Sequence, residues 1–355
     1  VTSTPHIQRI GTAVPAHDVH REFEDWAERR LADHRLKAVF RRMAARSGIE
    51  HRWSVLPPAN GRLTDPAGYY ADGVLPSTAS RMRLYAEHAP ALAMAAIDDL
   101  GRDETQGVTH LVVASCTGFV APGIDQILAS GLGLAGSVER TLVGFMGCYA
   151  AVAALRTAWH IVRSMPAARV LVVTVELSTL HLQASDTLEP ILAMMQFGDG
   201  AAAAVVSAEP NGLALGGFFA ATLPDSGELI RWTIGDQGFA MHLDGTVPAR
   251  IGTALADPAF RDVVTGPGGA SAVDTWAVHA GGRSILDAVE NALSLDSRAL
   301  AASRGVLAAN GNMSSATLMF TLARILANPR AEDGRALAFG PGLAAEGFAF
   351  RSAAA

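Results

Sequence analysis

"RTLVGFMGCYAAVAALRTAWHIVRSM", residues 140–165, decides the fold. It opens as a strand-like run, Gly147 interrupts it, and from Cys148 onward helix formers place apolar side chains at helical intervals. A strand that turns through glycine into a long helix is the repeating joint of an α/β fold. One of only two cysteines in 355 residues stands at that joint.

Outward from it, "VTHLVVASCT" (108–117) and "ARVLVVTVEL" (168–177) are β-branched runs with charge only near their ends, as expected of strands buried on both faces. "FGDGAAAAVVSA" (197–208) and "GLALGGFFAATL" (212–223) read as two further strands joined by a turn at Pro210, Asn211 and Gly212. The second half repeats the grammar. A strand "TWAVHA" (275–280), helices from Arg283 and from about Ser314, a strand "ALAFG" (336–340) and a last strand "GFAFRS" predict a second α/β unit. Two similar halves are therefore expected, 1–210 and 211–355. At the start, 21–47 reads as one charged surface helix, 57–76 as a region of turn formers, and "AEHAPALAMAAIDDLG" as a helix over about 86–101 closed by Gly101.

With 50% hydrophobic and 17% charged residues, the chain can bury a large core. Its net charge of −6, with Lys37 as the single lysine and no basic block, argues against a nucleic-acid surface. Two cysteines within apolar segments do not make a secreted disulfide framework, and a reducing, cytoplasmic setting is expected. The first residues lack the pattern of a signal peptide. The apolar stretch from Thr141 meets Arg156 before reaching the roughly 20 residues of a membrane span.

At the head of a helix, the Cys148 sulfur faces free backbone N–H groups and the positive end of the dipole. That field is worth about 0.3–2 kcal/mol, little more than one unit on a thiol pKa near 8.5, so a thiolate needs a further partner. A buried cysteine alone is ordinary packing. Two distant segments change the balance. "WAVHAGGRSILD" puts His279 at the end of a buried strand, and "NGNMSSATLMF" puts Asn312 at a helix entrance. Imidazole and amide can act as two donors to an oxyanion while the imidazole handles the thiol proton, a set suited to thioester chemistry. His51 and His88 neighbour charged residues and read as surface or structural.

"GFMGCYAA", "FGDGAAA", "VHAGGRSILD", "GNMSSAT" and "FGPG", in this order and spacing, resemble the type III polyketide synthases, the chalcone-synthase-like family of the thiolase superfamily. The resemblance runs from "GTAVP" to "FGPGL", and "SCTGF" and "RWTIGDQGFAMHL" are similar to its bacterial members. It implies a thiolase-like αβαβα layered fold of two similar halves, and a homodimer. It also implies CoA thioesters as substrates, an acyl-CoA starter and malonyl-CoA, with no metal and no bound organic cofactor.

Residue by residue, the resemblance makes Cys148 the nucleophile that holds the growing chain, and His279 and Asn312 the pair that activates it and stabilises the enolate of decarboxylated malonyl-CoA. Phe197 matches a gatekeeper between coenzyme tunnel and reaction cavity, and Met241 replaces the second gatekeeper phenylalanine. Cys116, Ser178, His181, Trp232 and Ser314 match the pocket wall; Trp232 stands in place of a glycine and fills volume. Arg42 and Arg46 match two CoA-phosphate positions. A third matches Val39, leaving Lys37 or Arg41 as substitutes. Ala338 precedes "FGPG" where another glycine is usual.

Three other readings stand beside this one. A β-ketoacyl-ACP synthase III shares fold and Cys-His-Asn set but takes its malonyl group from a carrier protein. A papain-like hydrolase has the same chain order of Cys, His and Asn but a different sequence around its cysteine. An inactive acyl-binding protein would be expected to lack one of the three residues.

Overall fold

The computed structural model describes residues 3–71, 75–328 and 330–353. In chain order these form β1 (His6–Ala13), β2 (His17–Asp18), α1 (His20–Arg30), α2 (His34–Ala44), β3 (Trp53–Ser54), α3 (Thr78–Leu100), β4 (His110–Ser115), α4 (Ile124–Gly131) and β5 (Glu139–Gly144). Then come α5 (Ala150–Ser164), β6 (Val170–Leu177), α6 (Leu188–Met195), β7 (Asp199–Ser207), β8 (Leu213–Thr222), β9 (Ile230–Gly235) and β10 (Gly238–Leu243). The chain ends with α7 (Val247–Ala256), α8 (Pro258–Thr265), β11 (Thr275–Val278), α9 (Arg283–Ala292), α10 (Ala301–Asn310), α11 (Ser315–Leu326), β12 (Gly334–Gly340) and β13 (Ala344–Ser352).

Nine strands make one sheet in the order β11-β12-β13-β8-β1-β7-β6-β4-β5. From β5 to β1, the first pairs are parallel and the last two antiparallel. From β11 to β8 the same sequence of pairings recurs without the outermost strand. The two runs meet only where His6 pairs with Ala214 and Ile7 with Leu213.

Every residue of β4 and β6 is buried, as their β-branched sequences, with charge only near their ends, lead one to expect. Helices cover both faces. α5 and α11 form the middle layer, α5 touching β4, β6, β8 and β13 while α11 touches β1, β6, β7 and β11. Their side chains fill one continuous core, in which Leu155, Leu318 and Met319 are fully buried, each worth about 1.5–3 kcal/mol. α3 packs outside β1, β6 and β7, and α7 and α9 share a third core with β11 and β12. The result is the αβαβα arrangement. Small residues permit its tightness: a Cβ on Gly11 of β1 would lie 2.1 Å from the backbone nitrogen of Leu100 in α3.

Several elements differ from their sequence reading. Residues 21–47 form two helices, because Leu31 is extended and the Asp33 side chain caps α2 by accepting the Arg35 N–H at 2.6 Å. α3 begins at Thr78, its first turn capped by Ser77. The turn at 210–212 joins β7 to β8 without making them neighbours, since β1 lies between them. No described helix is long and apolar enough to cross a membrane.

Candidate active site

β5 ends at Gly144, and the chain turns through Phe145 and Gly147, both with positive φ, into a short 3-10 turn over Gly147–Tyr149 that leads into α5. Cys148 thus stands at a helix entrance, 7% exposed. The turn is pressed from the other half of the chain. A Cβ on Gly147 would lie 2.4 Å from the Pro341 ring, and one on Gly340 2.6 Å from the Tyr149 ring, so the glycines of both segments make this approach possible.

Asn312 is fixed by backbone on both sides: its N–H donates to the Gln196 carbonyl at 2.8 Å and its own carbonyl accepts from Gly198 N–H at 3.0 Å. Its Oδ1 accepts the Ser314 N–H at 2.8 Å, so Nδ2 is the face left for other partners; it donates to the Gly281 carbonyl at 3.2 Å. The side chains of Asn312 and Ser314 both reach the Cys148 sulfur and favour its thiolate. His279 leaves β11 with its N–H on the Leu337 carbonyl, and its Nε2 lies 3.5 Å from where a Gly281 Cβ would be. Asn312 Nδ2 is thus tied to the turn that directly follows His279.

Neither ring nitrogen of His279 has a hydrogen-bond partner among the described residues. Burial pushes its pKa down to about 3 and pushes the Cys148 thiol up to about 12. Each charge alone is thus unfavourable here, and a proton moving from sulfur to imidazole has to create both charges together. The expected resting thiolate is not supported by the helix entrance and its neighbours alone.

Glu176, at the end of β6, is fully buried beside the Cys116–Thr117 backbone near Cys148. Its Oε2 accepts Cys116 N–H and Thr117 Oγ1–H, both at 2.9 Å, and its Oε1 accepts Ser315 Oγ–H. Burial raises its pKa to about 7 against these hydrogen bonds. A lone carboxylate ending an uncharged strand was the sequence signal for it.

A cavity of about 70 Å³ opens beyond Phe197, which bridges to Asn312 on one side and forms part of the cavity wall on the other. Ser178, His181, Trp232 and Met241 also line it. Trp232 and Met241 face each other across β9 and β10. His181 donates from Nε2 to the Thr117 carbonyl at 2.7 Å and accepts Phe239 N–H at Nδ1, which fixes it as a neutral, positioning ring.

Cys116 and Ser314 do not line this cavity. Ser314 turns to the Cys148 sulfur, and the Cys116 sulfur accepts the Gly147 N–H at 2.9 Å beneath the Cys148 turn. Arg52, which nothing in "EHRWS" distinguishes from a surface arginine, is 2% exposed and lines the cavity.

Arg42 and Arg46 are exposed on and after α2, while Arg41 is held by Glu28 through contacts of 2.7 and 2.6 Å. Arg283 Nη1 donates to the Arg46 carbonyl, bringing a third guanidinium beside that pair.

Fold and site together define a thiolase-like acyltransferase of the condensing class. The chain belongs to the chalcone and stilbene synthase family, the type III polyketide synthases: the N-terminal domain model of that family matches residues 3–210 and the C-terminal domain model residues 218–354. It is 34% identical over 289 residues to an alpha-pyrone synthesis polyketide synthase-like protein, Pks18, of Mycobacterium tuberculosis, covering 76% of this chain and 72% of the relative. It is 34% identical to the bisdemethoxycurcumin synthase of Oryza sativa subsp. japonica over 94% of this chain and 89% of the relative. The crystal structure of PKS-I from the brown alga Ectocarpus siliculosus superposes with a TM-score of 0.88 at 32% identity, over 99% of both chains. The protein is accordingly a CoA-dependent condensing acyltransferase.

Proposed function

We propose that the enzyme loads an acyl-CoA starter on Cys148, extends it with malonyl-CoA by decarboxylative Claisen condensation, and releases a cyclised resorcinol, phloroglucinol or pyrone. The Cys148 thiol passes its proton to His279 as sulfur attacks the starter thioester, and the departing CoA thiolate takes that proton. Malonyl-CoA then loses carbon dioxide. Its enolate oxygen is held by Asn312 Nδ2 and His279, and its carbon attacks the Cys148 thioester to give a chain two carbons longer and a free sulfur. Neutral or cationic donors assist charge on that oxygen; a carboxylate would oppose it.

The observation that carries this reading is the orientation of Asn312, whose Oδ1 is taken by the Ser314 N–H so that an amide donor is turned to the nucleophile. Arg42 and Arg46, with Arg283 beside them, supply an exposed positive surface for CoA phosphates. Similarity to a protein named for alpha-pyrone synthesis supports lactone closure as one release. We take 1–210 as the half with the nucleophile and 211–355 as the half with its partners. β5, with its residues largely exposed and Leu142 47% exposed, is a free sheet edge suited to pairing with a second copy.

Purified enzyme given only acyl-CoA and malonyl-CoA should release multiply extended, cyclised products detectable by mass spectrometry. A single extension that needs an acyl carrier protein overturns this reading in favour of a β-ketoacyl-ACP synthase III activity.

A further inference from the structure

Three buried polar atoms on the wall of one cavity have no hydrogen-bond partner among the described residues: Arg52 Nη2, Ser178 Oγ and Trp232 Nε1. Guanidinium and indole nitrogens can only donate, and a hydroxyl can donate as well. No carboxylate or carbonyl oxygen from a side chain on that wall is both buried and unpaired. The wall is otherwise mostly apolar, with Phe23, Leu56 and Leu63 among its residues. An unmade hydrogen bond in such surroundings is costly, and three unpaired donors carried by residues of one cavity wall ask for an acceptor.

Arg52 is the strongest of the three. Its Nε donates to His20 Nδ1 at 3.0 Å and its Nη1 to the carbonyls of Met194 and Phe197 at 3.2 and 2.9 Å, while its guanidinium lies 4.4 Å from the Phe23 ring centre. These contacts hold it rigidly beside the backbone of Phe197. Asp18, Glu24 and Asp199 are its nearest acidic groups, and none is in ion-pair contact with it. Asp199 instead accepts Val55 N–H and the Thr179 N–H and hydroxyl. Burial lowers the Arg52 pKa only to about 10, so the charge persists at neutral pH.

We propose that Arg52, with Ser178 and Trp232, forms a binding subsite for an oxygen acceptor, best a carboxylate, at the end of the acyl group remote from the thioester. This rests on the polyketide synthase reading and narrows its starter to an acyl chain with a polar, oxygen-bearing terminus. Methyl-terminated chains of equal length leave the three donors unpaired and are discriminated against for that reason.

The test compares glutaryl-CoA with valeryl-CoA, and adipyl-CoA with hexanoyl-CoA. Binding is measured by calorimetry on the Cys148→Ser enzyme and condensation with malonyl-CoA on the wild type. The ω-carboxyl member of each pair should bind about tenfold more tightly. Arg52→Met should collapse that ratio and Arg52→Lys should restore part of it; Ser178→Ala and Trp232→Phe should each reduce it. Equal binding within both pairs overturns the proposal, as does a preference that all the folded variants retain. Because binding is read without turnover, absence of any condensation product counts against the proposed reaction and leaves the binding ratio to decide the subsite.

Discussion

The sulfur of Cys116 accepts the backbone N–H of Gly147 at 2.9 Å, one residue before Cys148, so one cysteine of the chain holds the turn that presents the other. It also donates weakly to the Gly147 carbonyl at 3.7 Å. Cys116→Ala leaves that N–H without a partner, at a cost of about 1–3 kcal/mol. Lower stability in chemical denaturation and a lower kcat are expected, with Cys116→Ser intermediate. Wild-type kcat in the alanine variant would show that the turn holds its shape without the sulfur.

Burial, only partly offset by hydrogen bonds from Ser314 and Asn312, pushes the Cys148 thiol up to about 12, and in the proposed mechanism His279 takes its proton. His279→Gln should therefore move the pH profile of Cys148 alkylation by iodoacetamide to higher pH. Cys148→Ala should abolish polyketide formation while sparing malonyl-CoA decarboxylation. Superimposable alkylation profiles in wild type and His279→Gln refute the proton transfer.

The strand-helix joint at 140–165 and the strands flanking it were legible because period and composition are local properties. The motif order singled out Cys148, His279 and Asn312 in the same way. What stayed hidden depends on distant packing. β1 inserts between β7 and β8 through partners such as Ile7 with Val206 and Ile7 with Leu213, roughly two hundred residues away, and no local pattern marks that. Arg52 sits among charged neighbours in sequence and becomes a buried cation only when Phe23, His20 and the Phe197 carbonyl close around it. The family resemblance places Cys116 on the pocket wall, yet its sulfur is turned under Gly147.

Glu176 has a folded-state pKa raised to about 7 from the ordinary 4.5. Between those values the folded chain keeps a proton that the unfolded chain releases. This contribution therefore favours folding fully below about pH 4.5 and is lost as pH rises toward 7, by about 3 kcal/mol in all. His20, His181 and His279 act in the opposite sense, since their lowered values leave the unfolded chain binding more protons as pH falls below 6.5. Glu176→Gln removes only the first contribution. Relative to wild type it should become more stable as pH rises from about 4.5 to 7, measured by urea unfolding at both ends. A stability difference that does not change with pH means that Glu176 holds no extra proton.

Trp232 is the bulkiest side chain on the wall of a cavity of about 70 Å³, and its ring is 6.2 Å from Phe197 and 5.9 Å from His181. It projects from β9 opposite Met241, on a two-stranded hairpin outside the main sheet. Because that hairpin is not part of the nine-stranded sheet, the indole can be removed without opening the main core. Trp232→Gly should lose stability by about 2–4 kcal/mol, from lost packing and a glycine in a strand. The space released adjoins Phe197 on the wall of that cavity, which the proposed reaction fills with the acyl chain. The variant should accept larger starters or add more malonyl units, seen by mass spectrometry as a shift to heavier products. A folded variant with the wild-type product profile would place the limit on chain length elsewhere, at Phe197 or Met241, and would return the indole to a packing role.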